Sequence, residues 1–481
     1  MLSVKSIQNK KYFLFACLAI LLAVNTQAQE NSPFSRYGLG DLFPSQSAQY
    51  RAIGGMTSAQ GNSLHLVNPN IGTLSLNPAN PASYGILRTQ PNRQGGNVNY
   101  DLGIIGDMRT LKSVNPSKAY NSANLMPAYF TLAFPIAQSG MGIALGIKPV
   151  TRVSYSLSTR TQWRQGPQPV KLDTLNSRNL GEGGINQVFL GVGKAFGDFR
   201  IGVNGAYNFG KKDISTLTSL SNDTFQYATS SKNIKTIYRG FTWDAGMQYT
   251  IKLKEVTDPV SKIRSTYNLD LGVNGSISQK LNARREIAYY KIGFNADDQY
   301  GDNPRIIDTI SFKENSKGQV TLPTSLNGGF MFNKYLMGVQ KYGFGAEYNT
   351  TNWSQYRDVE NIADTALSNS WMIRAGGYFI PDPLRGASLF STARYSIGGY
   401  YGKDYINVGN TSKDGYDIMA VTFGFGFNLR KQMYSNQKSV VNTAFEIGRR
   451  GSNRNNVSEN FYKISVGFSL SDIWFLKSRY D

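Results

Sequence analysis

The chain has a single cysteine, Cys17, and a single histidine, His65. Cys17 lies inside an N-terminal leader, so the mature chain has none. Disulfide frameworks and thiolate chemistry are excluded. One imidazole cannot build a Cys/His metal site, and no metal or cofactor is expected. A nucleophile with its base and orienter would have to use His65, which lies in an irregular segment; no enzyme is expected. After residue 28 no run reaches the roughly 18 apolar residues of a membrane helix. Acids are the minority, 31 against 51 Lys and Arg, for a net charge of +20. Removing Lys5, Lys10 and Lys11 with the leader leaves +17. The cations are scattered and form no stripe, so nucleic acid is not the expected partner; the anionic headgroups of outer-membrane lipids are.

The leader has a basic start at Lys5, Lys10 and Lys11, an apolar core from Tyr12 to Val24, and a small-x-small site at Thr26-Gln27-Ala28. That pattern predicts a signal peptide over 1–28 and a mature chain from Gln29. Lipoprotein processing at Cys17, after Leu14-Phe15-Ala16, is the alternative route. It would leave Leu18 to Val24 as an apolar mature N-terminus.

From about Asn97 onwards, short stretches of strict apolar/polar alternation recur fourteen times. Hydrophobic content is only 40%, yet Tyr (29) and Phe (26) abound. Strand 5 is the cleanest: Phe199, Ile201, Val203, Gly205, Tyr207 and Phe209 against Arg200, Asn204 and Asn208. Period-2 alternation sends one set to lipid and the other to the lumen. Gaps between strands switch between tight turns (Gln138-Ser139-Gly140, Gly197-Asp198) and long polar stretches near 159–183, 211–235 and 279–318. The connection 254–266 is longer than a turn and breaks the pattern. Short turns on one side and long loops on the other predict an all-β fold, a transmembrane antiparallel barrel of about fourteen strands over 97–481. An even count puts both termini in the periplasm of an outer-membrane, multi-pass protein. A secreted β-sandwich is the competing fold.

Residues 29–96 are rich in Gly, Pro, Asn and Ser, without sustained periodicity. A stretch of this length is a linker, a functional loop region or, before a barrel, a hatch folded into the lumen. Gly191-Val192-Gly193 and Gly424-Phe425-Gly426 sit at alternate strand positions with no helix after them. They read as room on the inner wall beside a plug rather than as nucleotide loops. Pro149 falls about eight residues into strand 3, and hairpin pairing about Ser139 sets it near Pro127 and Tyr129 of strand 2. Proline cannot donate to the ladder, and unpaired backbone is not tolerated against lipid. The two prolines therefore mark either a bulge that bends the wall or a gap through which a lipophilic ligand could leave sideways.

Three stretches carry a family resemblance. Val320-Thr-Leu-Pro-Thr-Ser-Leu-Asn-Gly-Gly-Phe, followed by Tyr348-Asn-Thr-Thr-Asn-Trp-Ser-Gln-Tyr356, resembles a hairpin of the FadL/OmpP1/TodX family of outer-membrane hydrophobic-compound transporters. Leu76-Asn77-Pro78-Ala79 resembles that family's hatch motif. Ser32 to Gly38 and the Tyr462-to-Phe475 run resemble barrels of this type from Bacteroidetes. The resemblance implies passive uptake of long-chain fatty acids or other hydrophobic compounds, with lateral exit at the third strand. It makes Asn77, Pro78 and Ala79 hatch residues and Pro149 the strand-3 interruption; it places no pocket residues. By alternation Arg152, Arg374 and Arg394 face the lumen. There each could pair with a ligand carboxylate or neutralise lumen Asp and Glu. A second role, as a barrel subunit that docks or shuttles proteins in an outer-membrane secretion or assembly complex, with an outer-membrane protein partner, fits the same sequence. An apolar patch outside the lipid band would favour it.

Overall fold

The computed structural model describes residues 32–44, 46–60, 76–87, 96–113, 118–136, 140–163, 173–221, 228–293, 305–384, 388–407, 415–429, 438–451 and 457–474. The expected leader, its cleavage site and His65 lie outside them. Fourteen antiparallel strands close a barrel. In chain order they are β1 Gly96–Ser113, β2 Lys118–Ile136, β3 Met141–Trp163, β4 Asp173–Phe196, β5 Phe199–Ser221 and β6 Thr229–Thr257. β7 comprises Arg264–Ser276 and Gln279–Gly293, and β8 comprises Arg305–Leu322 and Ser325–Leu336. Then follow β9 Val339–Thr351, β10 Ser370–Phe379, β11 Arg394–Lys403, β12 Asp417–Leu429, β13 Lys438–Arg450 and β14 Val457–Trp474. β14 pairs with β1 from Val457↔Ser113 to Trp474↔Gly96, which seals the ring.

The cross-section inverts that of a soluble protein. Phe241 (79% exposed), Ile397, Val421 and Leu190 face outwards, while Asn204, Gln248, Glu347 and Glu446 are buried inside. An apolar exterior around a polar interior is the section of an outer-membrane barrel.

Every expected strand is present, but several run further than the alternation showed. The stretches expected as long loops at 159–183, 211–235 and 279–318 are mostly strand: β3–β4, β5–β6 and β7–β8 continue as paired hairpins. Above the lipid level no acyl surface imposes one apolar face, so strict alternation fades while backbone pairing persists. The long connection at 254–266 is likewise a hairpin, with Thr257 opposite Arg264 and a turn fixed by Asp258 N–H to Ile263 O at 3.0 Å.

β7 and β8 each break once, at Ile277-Ser278 and at Pro323-Thr324. Side chains replace the lost ladder. The Gln279 amide accepts from Trp243 N–H at 2.7 Å and donates to Trp243 O at 2.6 Å. Gln355 accepts from Thr324 N–H and hydroxyl at 3.0 and 2.9 Å. The two halves of the family-like hairpin motif therefore meet across the break.

Candidate functional site

The site is built where the wall stops pairing. β2 and β3 are bonded only from Ile136↔Met141 to Phe130↔Ile147. Beyond that β2 continues on β1 and β3 on β4, each on its far side only. Both prolines stand at this split. Ala128, next to Pro127, is bulged out of the β1–β2 ladder, and Val150, next to Pro149, out of the β3–β4 ladder. The bulge and the gap are the same feature, because a proline that withholds its N–H and an extra residue each end a ladder.

The N-terminal segment fills part of the free β3 edge. Leu42 pairs with Thr151 and Asp41 with Arg152. Phe43 N–H donates to Val150 O at 2.9 Å, and Ser32 N–H to Ser154 O at 3.2 Å. Ser154 N–H donates in turn to the Ser35 hydroxyl at 3.2 Å. Residues 32–43 thus act as a strap laid along the split.

The strap is held by buried charge. Asp41 takes Arg109 at 2.8 Å through one oxygen and Arg450 at 2.9 Å through the other. Arg109 also binds Asp107 (2.6 Å) and Glu459 (2.9 Å), and Arg450 binds Asp404 at 2.6 Å. Burial alone would raise the Asp41 pKa, but the Arg450 and Arg109 guanidiniums outweigh it and hold the carboxyl well below its usual range. The strap also plugs the loop end of the barrel. Phe34 and Leu39 pack with Trp353, Tyr356, Tyr405 and Tyr416 from the connections after β9 and β11. Tyr405 hydroxyl donates to Gly40 O at 2.7 Å. Ser32, the first described residue, lies at this end, where its hydroxyl donates to Glu459, and away from the Gly96↔Trp474 end of the seam.

The rest of the described N-terminal segment, up to Leu87, hangs on inward side chains. Asn77 Nδ2 donates to Thr57 O (2.7 Å) and Gln60 O (2.8 Å). Pro78 O accepts from Asn204, and Ala79 O from Asn274. Glu347 collects the Thr57 and Ser58 N–H groups, both at 2.6 Å. Glycines make room, as their alternate spacing suggested: a Cβ at Gly424 would lie 2.7 Å from Ala52 Cβ, and one at Gly193 would meet Pro81 O. Asn77→Ala should loosen this packing by about 1–3 kcal/mol, the cost of stranding buried carbonyls. Protease cleavage of the hatch in folded barrels should rise accordingly; unchanged protection would show that Asn77 carries no weight.

The three arginines part company. Arg152 does not face the lumen, because the Val150 bulge shifts the alternation by one and turns it outwards. Arg374 bonds the hatch through Gly55 O at 2.6 Å. Arg394 is buried, with its guanidinium 3.7 Å from the Tyr378 ring centroid, and its Nε and Nη2 have no hydrogen-bond partner among the described residues. Asp41, Arg109, Arg450 and Glu347 escaped the sequence reading. On the strands their linear signal is charge at lumen parity; Asp41, in the strap, lacks even that, and its two arginines lie 68 and 409 residues away. Among the described residues no three His, Cys, Asp or Glu gather as a metal site.

A cavity of about 1250 Å³ runs through the split. Phe43, Met126 and Tyr129 line it at the hatch side, Phe130, Ile147 and Pro149 at the lipid side, and it rises along β4–β8 to Phe312.

The family model described as BamG matches residues 9–481. The chain belongs to the BamG family. No curated protein matches this BamG-family chain in sequence. Among solved structures it is similar to the Ralstonia pickettii toluene transporter TbuX, at 13% identity over 90% of this chain and 98% of that one, with a TM-score of 0.47. A Pseudomonas aeruginosa FadL homologue matches at 11% over 91% and 100%, TM-score 0.48. The Pseudomonas putida toluene transporter TodX matches at 12% over 91% and 100%, TM-score 0.45. Hydrophobic-compound transporters, the family expected from the motifs, are thus among its structural neighbours, while the family matched by sequence is BamG.

Proposed function

We propose that this BamG-family barrel passes long-chain fatty acids or other hydrophobic compounds across the outer membrane and releases them sideways between β2 and β3. The paired ends of β1 and β14 face the periplasm in this reading. The observation that carries it is that β2 and β3 stop pairing with each other beyond Phe130↔Ile147, with a cavity lined by residues of both strands at that split. A wall of hydrogen-bonded strands is impermeable; a ladder that stops gives an apolar molecule a path that never crosses the polar lumen. Transport in this reading is passive. Among the described residues Arg394 keeps two guanidinium nitrogens, Nε and Nη2, without a hydrogen-bond partner, and a ligand carboxylate could take them.

The test is uptake of radiolabelled palmitate and toluene by cells with and without the protein. Uptake should rise about tenfold with the protein present, equivalent to ~1.4 kcal/mol at the barrier. Equal uptake in both strains would sink the reading.

A second reading, a barrel subunit that docks other proteins, is favoured by a separate feature. Ile306, Ile307, Ile310 (64% exposed) and Phe312 are exposed on the upper half of β8, well beyond the lipid-facing Phe241 level. An apolar patch there fits a protein surface rather than acyl chains. A stoichiometric protein co-purifying with the barrel, and lost with Ile310→Asp, would support it over transport.

A further inference from the structure

We propose that the split seats an outer-leaflet lipid with a phosphate-bearing headgroup, its phosphate held over Gly184 between Arg152 and Lys211. This deepens the reading of the split as the ligand path and rests on it.

The cavity is larger than a single-ring hydrocarbon needs. Its volume of about 1250 Å³ exceeds the roughly 300–1,000 Å³ of ordinary small-molecule sites. Its lower end is already in the bilayer: Phe130 and Ile147 line it and are 42% and 43% exposed on the lipid side. A lipid can therefore slide in without leaving its leaflet.

The head end follows from the register. Arg152 pairs with Gly184, and Gly184 with Lys211, so the three share one face across β3, β4 and β5. Directly paired residues in antiparallel strands point to the same side. The outward row next below is Pro149, Asn186 and Phe209; below that come Ile147, Val188 and Tyr207, the lipid-facing row. Two cations thus flank a residue with no side chain, two strand spacings or about 10 Å apart. They sit just above the acyl level, where a phospholipid carries its phosphate. Only the bulge at Val150 brings Arg152 to this face.

Arg178 and Lys235 line the same cavity further up, with Glu182, Asp213 and Glu286 between them. Asp213 is ion-paired to Lys211 at 2.8 Å, so an arriving phosphate shares that cation rather than finding it bare. Charge-assisted bonds to phosphate oxygens are strong enough to compete. A neutral hydrocarbon would use none of these groups.

Native mass spectrometry of the full barrel, delipidated and then offered dioleoylphosphatidylglycerol or dioleoylglycerol, tests this. The two share acyl chains and differ in the phosphate. Phosphatidylglycerol should be retained about tenfold better. The double variant Arg152→Ala, Lys211→Ala should lose that preference, and Arg152→Lys should keep part of it. Thermal melting of each variant checks that the barrel is intact. Equal retention of both lipids, or an undiminished preference in the double variant, would overturn the proposal. So would displacement of the bound lipid by inorganic phosphate alone, since the chains would then contribute nothing. If the lipid fails but the apolar dye N-phenylnaphthylamine still binds at the split, the lateral path stands and only the phosphate seat falls. If neither binds, both fall.

Discussion

Replacing Asp41 with alanine should release the strap and open the barrel. Asp41 joins two buried guanidiniums, Arg109 and Arg450, and each loses a partner when the carboxylate goes. Stripping one member from a buried ion pair costs about 3–5 kcal/mol, because the remaining charge stays buried. Asp107, Glu459 and Asp404 keep the arginines partly compensated, so the wall should survive while the strap does not. Planar-bilayer recordings should show conductance that the parent protein lacks, and protease should reach residues 32–43. A closed, protected Asp41→Ala barrel would mean that the aromatic contacts of Phe34 and Leu39 suffice.

The same carboxylate sets a pH window. Its folded pKa is depressed, so its contribution is complete above the unfolded value of about 3.9 and is lost as pH falls through the lower folded value. The strap should hold from neutral pH down to about pH 4 and loosen only in stronger acid.

The second large effect is a lock. Leu42 and Thr151 are Cα partners in an antiparallel pair, within the roughly 4.4–6.8 Å that a disulfide spans. Cys17 is the chain's one native cysteine, and with the expected leader removed no third thiol would scramble the bond. Leu42→Cys with Thr151→Cys should tie the strap to β3 and reduce uptake about tenfold or more, with recovery on adding reductant. Full uptake by the oxidised protein would mean that the strap is not in the path, and the route would have to bypass the β3 edge.

Alternation made the barrel legible because lipid imposes it: Phe199 to Phe209 can read only one way when one face meets acyl chains. The limits of that logic are equally physical. Above the lipid, β4 loses the apolar face that announced it, so its upper half reads as a loop. Pro149 marked the place where pairing ends, since a missing N–H is visible in any sequence. The facing of Arg152 was lost there too, because a single bulged residue inverts everything after it and leaves no trace in composition. The Asp41 cluster was illegible for a different reason. Its members come from the strap, β1, β13, β14 and the connection after β11, and only closure of the ring brings them together.

That closure sets the order of assembly. The seam joins the first strand to the last, so it cannot form until the whole chain has been made. The strap and hatch precede β1, and by the time the seam zips they must already lie inside. Threading them in later would mean carrying the Asn77 amide and the Thr57 and Ser58 N–H groups that Glu347 holds into a ring already closed. The barrel is wrapped around its hatch, which makes the hatch an internal template: a chain with a damaged hatch should close slowly or wrongly, quite apart from anything it later transports.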